Sequence, residues 1–145
     1  VFEVRGEIFQ ADLNRWFTKL RRIERSMKLA IKLEIMDWAA KKLEEEARAR
    51  CPIDEGDLEK DIKSSTLVSG TSYEAALYLD PNGPSKEYQE IIHDSYYSIG
   101  PLSRQKQAAT GKQVGRKFMT RAVNESRLAI YSHANAVIRR VLSDS

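Results

Sequence analysis

Two apolar rhythms organise the chain. Between residues 11 and 51 no Gly or Pro intervenes, and apolar residues recur three or four apart, the spacing of one helix face. Leu13, Trp16, Leu20, Ile23 and Met27 form one series, and Leu29, Leu33, Met36, Ala40, Leu43 and Ala47 form a second. The two do not join in phase. They predict either a helix pair bent near Ser26 or one long helix that buries different faces along its length. Asp12 is placed to cap the start, so the helical region is 12–50. Pro52 closes it, because the residue before a proline is pushed out of the α region. A single rod of this length would span about 57 Å at 1.5 Å per residue, more than the width of so small a domain.

A period of two replaces this rhythm beyond Pro52. Residues 62–69 alternate, and Tyr73, Ala75, Leu77 and Leu79 alternate with Glu74, Ala76, Tyr78 and Asp80. The turn chemistry of Ser69-Gly70-Thr71-Ser72 joins them into an antiparallel hairpin. Residues 1–9 read as a further strand. Residues 88–93 form a short apolar segment, strand or helix, within a sheet region placed at 60–100. Residues 101–115 are polar and aperiodic and read as a loop. The helical period returns at 116–142 through Met119, Val123, Ser126, Ile130, Ala134, Val137 and Val141. These segregated elements predict one α+β domain over 1–145. It has a long N-terminal helix or bent helix pair, a small antiparallel sheet with a hairpin, and a long C-terminal helix packed on the sheet.

Charge sharpens the picture. The 145 residues carry a net charge of +3, but unevenly. Residues 1–50 hold 12 cations against 9 acids, residues 51–102 hold 3 against 10, and residues 103–145 hold 9 against 2. Opposite-signed segments either meet within one fold or join copies head to tail. Cys51 is the only cysteine, so no internal disulfide forms. No apolar run reaches the length of a membrane span, and no signal peptide is visible. The chain opens at Val1, which leaves a preceding segment open.

Three places carry candidate chemistry. The acidic turn after Pro52 offers Asp54, Glu55, Asp57, Glu59 and Asp61 to a hard cation, but calcium-loop spacing is absent. Its mechanical reading is a joint in which Pro52 stops the helix, Asp54 or Glu55 accepts backbone N–H bonds, Gly56 takes a positive φ and Leu58 enters the core. His93 and His133 have no spacing that pairs them with Cys51, and nucleotide, hydrolase and metalloprotease motifs are missing. The pattern therefore gives no enzyme, no metal and no cofactor. The basic run Arg104, Lys106, Lys112, Arg116, Lys117 and Arg121 would face a partner or the phosphates of DNA. Apolar helix surface at Trp16, Leu20, Ile23 and Met27 is the candidate subunit interface.

Two groups of residues support a resemblance. The first is Ala47 to Pro52, followed by Asp54-Glu55-Gly56-Asp57-Leu58 and a strand at Ile62. The second is Tyr88 to His93, Gly100-Pro101-Leu102-Ser103, and Val114-Gly115-Arg116-Lys117-Phe118 with Ala122. In these the chain resembles the tail-completion or neck family of long-tailed bacteriophages, head–tail joining or minor tail components, over roughly residues 12–142. It departs from that family at Glu55, where a Thr is usual, and at residues 59–61, where Arg and Ser are usual. The resemblance implies a non-catalytic virion protein assembled in the host cytoplasm. It would form a homo-oligomeric ring of six or twelve copies. Portal-side neck proteins would lie on one side and the tail tube or tail terminator on the other, with genomic DNA passing through the lumen. No membrane is involved. The alternative is a small nucleic-acid-binding module without sequence preference, using the basic C-terminal third.

Overall fold

The computed structural model describes residues 3–5, 24–53, 56–69 and 72–143. In chain order the elements are β1 (Glu3–Arg5), α1 (residues 24–50), the single turn α2 (Asp57–Lys60), β2 (Ile62–Ser69), β3 (Ser72–Leu79), α3 (Gln89–Asp94), α4 (Pro101–Thr110) and α5 (Phe118–Ser143). The fold is α+β, as the pattern predicts.

α1 runs on through Ser26 and is not uniform. It is α-helical over Glu24–Ala30, π-helical over Ile31–Met36 and α-helical again over Asp37–Arg50. Its buried row is Met27, Ile31, Ile35, Ala39, Leu43 and Ala47, each four residues from the last. A strict four-residue repeat drifts by about 40° per step around an ordinary α-helix. The wider π turn holds more residues per turn and rotates the row back. Leu29 and Leu33, expected in the buried stripe, are instead 58% and 51% exposed. Met27, expected at a subunit interface, is buried in the subunit's own core. Trp16, Leu20, Ile23 and Asp54 lie outside the described residues.

The sheet order is β1-β3-β2, antiparallel throughout. β3 is central and buries Tyr73, Ala75, Leu77 and Leu79. These face the row Val68, Thr66, Ser64 and Ile62 of β2. α1 lies between the sheet on one side and α5 on the other, so it buries apolar residues over much of its circumference. α5 runs chiefly along α1 and also touches β1. Its buried row is Met119, Val123, Ser126, Ile130, Ala134 and Val137.

Two boundaries differ from expectation. The strands end at Leu79, and residues 80–100 hold turns and α3 rather than sheet. Pro81 and Pro84 have no N–H to give a ladder, and buried Asp61 holds the loop through the N–H of Ser85 at 2.8 Å and through its hydroxyl. A Cβ at Gly83 would overlap that carboxylate. The second difference is residues 101–115, expected as a loop. They begin with α4, which has Pro101 in its first turn and stops at Gly111 with φ 69°. α4 buries only Ser103, so an apolar period never marked it. α5 starts at Phe118 because Gly115 (φ 126°) and Lys117 (φ 61°) hold the chain out of the helical region.

Gly56 has φ 85° with open space where a Cβ would point. Gly56→Ala is therefore expected to cost about 1–2 kcal/mol through backbone conformation alone. Gly56→Asn is expected to cost less. Urea denaturation checks this: the midpoint falls while the slope stays constant.

Candidate functional site

Several charged side chains meet at the carbonyl end of α1. The last carbonyls of a helix have no partner within it, and the helix dipole puts negative charge there. Lys106, projecting from α4, answers both needs. Its Nζ donates to the carbonyls of Arg48 and Cys51, the latter at 2.8 Å, and lies 3.4 Å from Glu59 Oε2. The N–H of Gly115 donates to the carbonyl of Arg50 at 3.0 Å. One turn earlier on α4, Ser103 Oγ accepts the N–H of Ile53 at 2.9 Å. The described flanks of the acidic turn, Ile53 and Glu59, are thus tied to the segment that follows Gly100.

A buried ionic cluster sits beside these bonds. Glu46 accepts from Lys42 at 2.9 Å, Arg50 at 2.5 Å and Lys112 at 2.7 Å. Arg50, 3% exposed, reaches across to Glu125 of α5, its Nε at 2.9 Å. Burial pushes the Glu46 carboxyl up, but its bonds to Arg50, Lys112 and Lys42 outweigh this and hold it at about 2. Three further cations of the basic run bond at the surface to neighbouring groups. Arg104 donates to the carbonyl of Ile99 at 2.8 Å. Arg116 donates to that of Asp94 at 2.8 Å and lies 4.0 Å from the centre of the Tyr96 ring. Lys117 pairs with Asp94 at 2.5 Å. Arg121 buries one guanidinium nitrogen, which donates no hydrogen bond among the described residues. The opposite-signed segments meet within one fold.

Cys51 is fully buried, and burial pushes its thiol up to about 12, so it stays protonated. Burial pushes the His93 imidazole down, although Asp94 at 2.9 Å opposes this. His93 stands edge-on to Phe118, and the remote His133 stacks on Trp38 at 4.0 Å. Among the described residues no three His, Cys, Asp or Glu side chains are grouped to hold a metal ion, and no helix is long and apolar enough to cross a membrane. Two open concavities flank β2. One, of about 330 Å³, is lined by Asp37, Lys41, Glu44, Glu45 and Arg48 with Ser64, Ser65 and Thr66. The other, of about 540 Å³, is lined by Arg48, Gly56, Glu59, Lys60 and Lys63.

The sequence marked the basic run and the turn but missed Glu46, Arg50 and Glu125. Their signal was present: Lys42, Glu46 and Arg50 stand four apart, and Glu125 is the lone acid between residues 103 and 143. No family model matches the chain, and neither the curated proteins nor the solved structures contain a significant match to it.

Acid should weaken the fold in two stages. His93 is lowered in the fold, so its contribution is complete above its ordinary value of 6.5 and declines as pH falls below that. Glu46 is lowered from 4.5 to about 2, so its contribution is present above 4.5 and is lost as pH falls toward 2. Denaturant midpoints against pH should show both declines, and Glu46→Gln should shrink the lower one, leaving the part due to Asp94, which its bonds to Lys117 and His93 also hold below its ordinary value. At pH 7, Glu46→Ala should cost about 3 kcal/mol, the lower end for a broken buried pair, because Arg50 retains Glu125.

Proposed function

We propose that the chain is a structural subunit of a bacteriophage neck, a tail-completion protein that closes into a homo-oligomeric ring around the path of the DNA. Six or twelve copies would sit between portal-side proteins and the tail tube or terminator. The supporting observation is exposed apolar side chains in two regions of the chain. Leu128 on α5 is 79% exposed, and Ile91, Tyr96 and Leu102 around α3 and α4 are 60%, 85% and 52% exposed. A ring grows from a head-to-tail contact between two different surfaces, and these two regions are candidates for it. Two cations of the basic run support this reading over DNA binding by the basic third, because Lys106 and Lys112 are committed to carbonyls and to Glu46.

Negative-stain imaging and light scattering of the purified chain test the proposal. Closed rings are expected, lost on Leu128→Glu or Ile91→Glu while the circular dichroism is unchanged. A chain that never forms rings, and instead binds DNA with an affinity that falls steeply with salt, contradicts it.

A further inference from the structure

β2 is an edge strand. β3 pairs with one side of it, and among the described residues no strand pairs with the other. Such an edge presents unpaired backbone groups to any strand that can reach them. It has eight residues and no proline, and Lys63 is its only charge. Beyond Arg48, which donates to the carbonyl of Ile62 at 3.1 Å, little guards it.

The flank of this edge carries a pattern. α1 runs alongside β2 in the opposite direction, with Arg48 at Ile62, Glu44 Oε2 2.7 Å from Ser64 Oγ, and Asp37 Oδ1 3.5 Å from Thr66 Oγ1. The groove of about 330 Å³ between them is therefore lined in order by Asp37, Lys41, Glu44 with Glu45, and Arg48. The signs read minus, plus, minus, plus. A row of one sign would select a partner strand of the other sign. An alternating row with an even number of steps is complementary to its own reverse.

We propose that β2 is a docking edge for a second copy of this chain, with β2 pairing antiparallel to β2 about a two-fold axis near Ser64. The axis sets Asp37 across from Arg48 of the second copy, and Lys41 across from Glu44 and Glu45. The two three-stranded sheets become one of six strands, with both α1 helices on the same face. This contact is isologous and closes on itself. The proposed ring uses other surfaces, so the two readings fail separately.

Cross-linking tests the pairing. Ser64 faces its own copy across this axis, and the only cysteine, Cys51, is fully buried, so wild type is a clean control. Ser64→Cys should give a disulfide-linked dimer of twice 16.6 kDa under mild oxidation, absent from wild type. Lys41→Glu and Glu45→Lys should each weaken dimerisation about tenfold. The double variant should recover to within about threefold of wild type. Melting temperatures check that all variants fold. A chain that stays monomeric at every concentration overturns the proposal. So do dimers or rings that form without the Ser64→Cys cross-link, or a double variant no better than the singles. Rings without the cross-link would leave the neck reading standing, and cross-linked dimers that never form rings would do the opposite.

Discussion

The last turn of α1 ends in the interior, where its carbonyls have lost water and have no partner in their own helix. Leaving such groups bare is costly. Lys106 and the Gly115 amide answer it, and both come from the segment that follows α3. That choice fixes much else. Once Lys106 is drawn to Cys51, α4 must lie against the end of α1, and Ser103 falls beside Ile53. Once Gly115 reaches Arg50, the chain must turn through Lys117 with a positive φ before α5 begins. α5 then runs back along α1, and Glu125 meets Arg50.

Burying the Glu46 and Arg50 charges is unfavourable by itself and tolerable only with full pairing. Glu46 gathers three cations, and Arg50 spans two carboxylates and the Glu46 carbonyl. Geometry this demanding admits few alternative arrangements of α1, α5 and residues 112–117. The cluster thus contributes more to the uniqueness of the fold than to its net stability.

Legibility followed the kind of interaction. The hairpin and α5 were readable because apolar side chains meet apolar side chains there, and the periods of two and 3.6 record it. α1 was readable as a helix, but its phase was not. The π turn at Ile31–Met36 shifts which residues face inward, exposing Leu29 and Leu33. α4 was unreadable because its contacts are polar: a serine and a lysine hold it, and neither leaves an apolar trace. Of the candidate site, the basic residues were visible and their partners were not, since the bonds of Lys106 and Lys112 span 58 and 66 residues. The function proposed for the chain draws on a different layer, the apolar side chains that the finished domain leaves outside.

The central claim is that residues 101–117 are an ordered clamp on the end of α1 and not a mobile basic loop. Native-state hydrogen exchange measures this directly at two amides, Gly115 bonded to Arg50 and Lys117 bonded to His93 at 2.7 Å. Both should be protected nearly as strongly as the amides of α1 and α5, exchanging only with global opening. If both exchange at the rate of an unstructured loop while α1 and α5 stay protected, the clamp does not exist and the account built on it fails.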